Sequence, residues 1–307
     1  MMINDERVTT ISKDKIITID DVNNTIVFTH NDLDGIGAGQ IFANLGVPTQ
    51  AIEICNYGSN EIKDHLIEIM GKEVYITDFS VKTIEEFDNM ITMHPTKIVW
   101  LDHHISVIPL AKKIIEKYPN MIQKGKIILD VDIYRSGALL AYDHMDGESS
   151  FGVVAKLIDD HDRWIHQYDS LYLNQAMVDS CQLYVDSPVM KSLVEDPYAL
   201  NRMIELGKKL FEIQKTKFDL INKNFGYDTE FEGYKMRVIE SYGNSTVFGD
   251  DINKYPICAL LKRKPSKDYS FSLYTSRDDI DVAAICEKYH GGGHKKAAGG
   301  HSITRPF

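Results

Sequence analysis

The sequence is short of the residues that would staple a chain together or anchor it elsewhere. Four cysteines, Cys55, Cys181, Cys258 and Cys286, are spread over 307 residues with no paired spacing. That excludes a disulfide framework and a thiolate zinc site, and leaves carboxylates and imidazoles as the metal donors. No uncharged apolar run is long enough to span a bilayer, and the first thirty residues mix charges with short apolar stretches in place of a secretory leader. A cytoplasmic protein with no membrane partner is expected. An excess of positive charge is also missing: 34 Lys and Arg face 45 Asp and Glu, for a net charge of −11. Stable binding of a long nucleic-acid duplex is therefore not expected. Internal repeats and low-complexity segments are absent.

What is present is the composition of a globular protein, 43% apolar and 26% charged, in a chain long enough for one large domain or two ordinary ones. The charge is uneven. From Cys258 to Phe307 nine Lys and Arg face five Asp and Glu, so this tail is +4 and the remainder −15. An acidic body with a basic end suits a metal-filled site and an anion-binding module.

The first half alternates short β-like runs with helical patterns, which predicts an α/β fold with a parallel sheet covered by helices. Strands are expected at Thr25–Thr29, Ala51–Tyr57, Val74–Thr77, Lys97–Leu101 and Lys126–Val131, with helices at Gly37–Leu45, Asn60–Met70, Thr83–Met93 and Ile108–Lys117. After Arg135 the pattern turns helical. Ser136 is placed to cap a helix over Gly137–Met145, and Ser149 or Ser150 to cap the next. Asp196–Asn224 reads as a long charged helix. Beyond it, Lys235–Glu240, Ile257–Lys262 and Tyr269–Tyr274 read as strands, Asp281–Tyr289 as a helix, and the glycine run after it as a turn. The expected organisation is a catalytic domain over 1–190, a helical linker over 191–230 and a smaller α/β domain over 231–307.

Several strands run into ligand-type residues. The first ends in His30-Asn31-Asp32-Leu33-Asp34-Gly35, the third in Asp78, and the fourth in Asp102-His103-His104. Taken singly, an Asp after a strand is commonly a helix cap and an Asp-Gly pair a turn. Functional groups of open α/β sheets gather beyond the carboxyl ends of the strands. Three strand ends would thus bring four acids and three imidazoles to one crevice, and so many anions cannot share it without a counter-ion. Arg135 is a candidate phosphate clamp, because its planar fork matches that group. In the tail, Gly291-Gly292-Gly293-His294 would let backbone N–H groups approach an anion, with His294 as an added donor.

His30-x-Asp32-x-Asp34-Gly35, the isolated Asp78 and Asp102-His103-His104 resemble the first three motifs of the DHH phosphoesterase family. Gly291–His294 followed by Ala297-Ala298-Gly299-Gly300 is similar to the signature of that family's DHH-associated substrate domain, so the resemblance spans roughly residues 25–305. It implies two divalent metal ions. His30 and Asp32 would hold one, Asp34 and His103 the other, and Asp78 would bridge them. A fourth-motif acid completes the set: within Leu157-Ile158-Asp159-Asp160-His161-Asp162, Asp160 is favoured by its place after the apolar pair, with Asp162 the rival. Asp102 would orient a ligand imidazole, and His104 would contact the substrate phosphate or the leaving oxygen. Thiolate-free donors and the resemblance both point to Mn²⁺, with Mg²⁺, Co²⁺ or Fe²⁺ as alternatives. Two such ions about 3.5–4 Å apart activate a water in line with phosphorus. The substrates implied are short oligonucleotides of the nano-RNA type, or dinucleotides, cut to mononucleotides. Cyclic dinucleotides, 3′-phosphoadenosine 5′-phosphate and polyphosphate are the alternatives, and a catalytically silent binding protein is the remaining one. A homodimer is compatible with this reading.

Overall fold

The computed structural model describes residues 2–12, 15–146, 150–241, 243 and 245–307. The chain forms two units, residues 1–207 and 208–307. The division falls inside one helix of the segment expected as a linker.

The strands of unit 1 are β1 (Met2–Ile3), β2 (Arg7–Thr9), β3 (Thr25–His30), β4 (Ile52–Cys55), β5 (Glu73–Thr77), β6 (Lys97–Asp102) and β7 (Ile127–Asp132). They form one sheet in the order β1-β2-β7-β6-β5-β3-β4. From β4 to β7 all neighbours are parallel; β2 runs antiparallel along β7 and β1 along β2. Nearly every residue of the parallel strands is buried because both faces are covered, as their continuous apolar runs require.

The alternation of side chains decides which helices each face receives. Val27, Tyr75, Val99 and Leu101 point to a core shared with α1 (Leu33–Asn44), where Ile36, Ile41 and Phe42 are buried. Ile26, Phe28, Val74, Ile76, Ile98 and Trp100 point to the other core, shared with α2 (Ile84–Thr92) and α3 (Ile108–Lys117). Each large side chain so buried contributes about 1.5–3 kcal/mol. The remaining helices of this half are α4 (Pro119–Gln123), α5 (Gly137–Ala141), α6 (Gly152–Asp162), α7 (Ser170–Asp179), α8 (Pro188–Glu195) and α9 (Ala199–Phe225), the last containing the division between the units.

Capping residues set several starts. The Thr83 side chain accepts from Glu86 N at α2, and Ser136 accepts from Leu139 N at α5. Helix α5 is shorter than expected, because Tyr142–Asp146 widens into a π-turn. Of the two serines expected to cap α6, Ser149 lies outside the described residues. Phe151 holds the capping position without a side-chain bond. The hairpin β1–β2 was not expected from the sequence. It is too short to show a period, and one ion-pair cluster ties it down. Asp130 of β7, fully buried, accepts from Arg7 Nη2 at 3.0 Å, Arg135 Nη2 at 2.7 Å and His144 Nε2 at 2.7 Å. Arg135 also reaches Asp132 and Asp143.

In unit 2, β8 (Gly226–Phe231), β9 (Tyr234–Ile239), β10 (Ile257–Arg263), β11 (Tyr269–Tyr274), β12 (Gly292–His294) and β13 (Ala297–Ser302) form a sheet ordered β12-β13-β11-β10-β9-β8. Helices α10 (Asp251–Lys254) and α11 (Val282–Glu287) accompany it. Glu232 and Gly233 both take positive φ (52° and 81°) in the two-residue turn between β8 and β9, the geometry that matches strand twist in tight hairpins. Ala259, Leu261, Phe271 and Leu273 face the core that holds Val282 and Ile285 of α11. Cys258 and Leu260 face the core with Val247 and Phe248. The glycine run is part of a hairpin, β12 against β13, where a turn was expected. Glycine and alanine have little strand propensity, and here the ladder with β11 decides.

The Asp130 cluster yields a test. Asp130→Ala removes one of the two buried acids, Asp130 and Asp132, that Arg7 and Arg135 share, and takes away the partner of His144 Nε2, so the variant should lose about 3–5 kcal/mol of stability. Urea denaturation of the variant against the parent measures it, and a loss below 1 kcal/mol (roughly the value of an exposed pair) would contradict the buried arrangement.

Candidate metal centre

The strand order reverses at β3, whose neighbours are β4 on one side and β5 on the other. Crevices at such a reversal are where ligands bind in open α/β sheets, and the carboxyl ends of β3, β5 and β6 deliver the clustered side chains there.

His30 closes β3. Asp32 follows as the N-cap of α1, with Oδ1 accepting from Gly35 N at 3.0 Å and Oδ2 lying 2.8 Å from His30 Nδ1. The same turn buries Asp34 in the first turn of α1. Its two carboxylate oxygens accept from the N–H groups of Gly137 (2.6 Å) and Ala138 (2.8 Å). The start of α5 thus grips Asp34 by its backbone. That start is itself fixed, because Ser136 N donates to Asp159 Oδ1 at 2.6 Å and Arg163 pairs with Asp159 Oδ2 at 3.2 Å.

Asp78, one residue past β5, adopts φ +50°. A non-glycine residue holds that conformation at a cost of about 1–3 kcal/mol. Its N–H donates to Leu101 O at 3.1 Å, and Oδ1 lies 3.1 Å from His103 Nε2. Oδ2 is buried and accepts no hydrogen bond from the described residues. Gly137 packs against it so closely that a Cβ there would lie 2.5 Å from Asp78 Cβ. His103 Nε2 is also 3.6 Å from Asp34 Oδ2 and 3.5 Å from Asp162 Oδ2.

Two triads result, His30–Asp32–Asp78 and Asp34–His103–Asp162. In each, one potential ligand atom per residue lies within 4.8 Å of the others. The Asp78–His103 contact joins them. Burial, and then the neighbouring Asp32, Asp34 and Asp162 carboxylates, push Asp78 well above the usual range. Burial and Asp162 push Asp34 up to about 6. Both effects are those of anions crowded without positive charge. A buried carboxylate oxygen with no donor, in a ring of oxygen and imidazole-nitrogen donors, fits a divalent cation.

Asp102 is fully buried beneath the cluster. Oδ1 accepts from His103 N (2.6 Å), His104 N (3.1 Å) and His104 Nδ1 (2.8 Å), and Oδ2 from Trp100 Nε1 (3.2 Å). It therefore holds the backbone of both histidines and orients the ring of His104. Burial works against protonating His104, but Asp102 outweighs it and raises the imidazole to about 9.

Two expectations are corrected. Asp160, favoured over Asp162, turns away from the triads. Its carboxylate accepts from Gln167 N (2.8 Å), Tyr168 N (3.2 Å) and Ser170 Oγ (2.5 Å) and so organises the turn into α7. Two residues of helix are about 200° of rotation, so Asp160 and Asp162 cannot face the same crevice. Asp159 and Asp162, three apart, share a face, and both reach it. Arg135 is no phosphate clamp, because its guanidinium is buried among Asp130, Asp132 and Asp143.

The sequence reading missed Gly137, which donates directly to Asp34, Asp159, which acts on it through Ser136, and the ring pair Tyr57 and Phe79, which flanks His30 at 5.8 and 6.1 Å. An acid three residues before Asp162 was the one available signal. His294 and Gly291–Gly293 lie in unit 2, at the β12–β13 hairpin. There a Cβ on Gly291 would meet Gly299 O at 1.8 Å, so close strand packing alone demands glycine at that position.

Among the described residues no helix is long and apolar enough to cross a membrane. No protein-family model matches the chain. In sequence it is similar to the uncharacterized protein R106 of Acanthamoeba polyphaga mimivirus, 24% identical over 252 residues, which cover 77% of this chain and 54% of that protein. It is also similar to the oligoribonuclease NrnB of Bacillus subtilis (strain 168), 24% identical over 303 residues, with 89% of this chain and 71% of that protein covered. The chain thus spans about half the length of the first of these relatives and about seven-tenths of the second. In structure it is similar to RecJ of Thermus thermophilus in complex with Mn²⁺, with a TM-score of 0.50 and 12% identity over 91% of this chain and 49% of RecJ. That likeness shows the fold.

Gly137→Ala should cost about 1–3 kcal/mol, the usual range for overpacking a full interior, because the new methyl meets Asp78. Urea denaturation measures it, and an unchanged midpoint would show that Asp78 has room to move.

Proposed function

We propose that this chain, which resembles the DHH phosphoesterases in sequence and shares their fold, hydrolyses phosphodiester bonds in short oligonucleotides or dinucleotides and releases mononucleotides. The observation that carries this reading is the pair of joined acid–imidazole triads with the buried, donorless oxygen of Asp78 at their centre. The similarity to an oligoribonuclease over most of the chain supports the choice of substrate.

His30 and Asp32 would hold one divalent cation, Asp34, His103 and Asp162 a second, and Asp78 would touch both. We take these ions to be manganese, the ion in the RecJ complex; thiolate-free donor sets of this kind suit it. Bound there, such a pair lowers the pKa of a water and offsets charge on the phosphate oxygens. The protein's own groups do the positioning. The Gly137 and Ala138 N–H groups fix both oxygens of Asp34, and Asp102 fixes the backbone of His103 and the ring of His104. Asp102 favours the protonated form of His104, whose Nε2 would donate to a phosphate or leaving oxygen and stabilise the charge that develops there. We assign His294 and Gly291–Gly293 of unit 2 to substrate binding.

Two measurements test this. With Mn²⁺ supplied, a panel of a linear dinucleotide, cyclic di-AMP, 3′-phosphoadenosine 5′-phosphate and polyphosphate should show fastest turnover of the linear dinucleotide. Asp78→Ala should remove at least ~10³-fold of it, about 4 kcal/mol of barrier. Equal turnover of polyphosphate would displace the substrate assignment, and an active Asp78 variant would sink the site. Calorimetric titration with Mn²⁺ separates the two acids of α6. Asp162→Asn should weaken binding at least ~10-fold, about 1.4 kcal/mol, whereas Asp160→Asn should leave metal affinity intact and lower stability instead.

A further inference from the structure

Unit 2 contains an open pocket of about 380 Å³ that the proposed activity does not use. It lies at the base of the β12–β13 hairpin. His294 pairs with Ala297 at the tip, and His301 is four residues further along β13, about 13 Å away at the ~3.4 Å rise of an antiparallel strand.

One ammonium and two imidazoles converge there. Lys264 Nζ lies 3.3 Å from His301 Nδ1, with His290 beside them in the same lining. Among the described residues no carboxylate lies within ion-pair distance of Lys264, unlike Lys288 on the same rim, which Glu232 neutralises at 2.6 Å. Burial, and then the charges of Lys264 and His290, hold His301 below its ordinary range, as suits a neutral ring that accepts from Lys264 Nζ.

Aromatic surface adjoins these donors. Tyr289 is braced against Phe231 (5.2 Å) and Phe271 (5.6 Å), with its hydroxyl tied to Glu232 at 2.8 Å. Tyr269 lines the same space, and Asp268 supplies an acceptor. The volume is that of a small-molecule site, for which about 300–1,000 Å³ is usual. An inorganic anion would leave the tyrosines unused, and an uncharged nucleoside would leave Lys264 uncompensated. A phosphate gripped by Lys264, His290 and His301, with a base against a tyrosine and a sugar hydroxyl on Asp268, uses all of them.

We propose that this pocket is a nucleoside monophosphate site, separate from the glycine–histidine tip. It goes beyond the hydrolytic reading, although the same chemical class is the product that reading would release.

The test uses the intact chain in chelator without metal, in a His294→Ala background that removes the phosphate contact assigned above. Binding of AMP is followed by ligand-observed NMR and calorimetry. AMP should bind saturably, and Lys264→Gln combined with His301→Gln, both exposed positions, should weaken it at least tenfold while the circular dichroism spectrum is unchanged. Three results would overturn the proposal: no saturable AMP binding into the millimolar range, affinity that survives the double substitution, or inorganic phosphate competing as well as AMP. Because no metal and no turnover enter the measurement, failure of the hydrolytic reading would leave this result standing, and the reverse holds too.

Discussion

Mutual repulsion among carboxylates is the constraint around which unit 1 is arranged. Asp32, Asp34, Asp78 and Asp162 are brought within a few ångströms of one another and of His30 and His103 where the strand order reverses, and three of the four are driven towards protonation by that proximity and by burial. Such an assembly is unfavourable by itself. It persists because rigid elements over-determine it: β3 and α1 fix His30, Asp32 and Asp34, the ladder between β5 and β6 fixes Asp78, and Asp102 fixes the histidines.

Much of this was legible in the sequence because the strands are apolar throughout and the chemistry begins where each apolar run stops. The runs ending at His30, Thr77 and Asp102 needed only a parallel sheet to bring Asp32, Asp34, Asp78 and His103 together. Helix phase was the harder part. Asp160 follows an apolar pair just as a ligand should, yet one further half-turn separates it from the crevice, and only the packing of α6 decides which acid faces inward. Arg135 failed for a related reason. A guanidinium near a site is a phosphate clamp or a structural cation according to which acids lie on the next strand, and Asp130 and Asp132 of β7 had no pattern to mark them as its partners. In unit 2 the strands β12 and β13 were hidden by their glycines, whose presence reflects contact with Gly299, Ala298 and Phe271 across the ladder.

The two buried acid groups of unit 1 sit on one sheet and are handled in opposite ways. Asp130 has Arg7, Arg135 and His144 around it, recruited from β2, the β7–α5 turn and the π-turn after α5. Every charge there is met by the protein, and the cluster needs nothing further. Two strands away, Asp78 has one imidazole contact and one oxygen with no donor, and no Lys or Arg lies within ion-pair distance of it among the described residues. A chain able to surround one buried carboxylate with cations has left the other open. Burial cannot account for this difference, since both are almost completely enclosed. What differs is position: Asp130 lies within β7, whereas Asp78 lies past the carboxyl end of β5, the side of an open α/β sheet on which ligands bind. An incomplete counter-charge beyond the strand ends, beside a complete one within the sheet, is the arrangement expected of a site that takes its positive charge from solution.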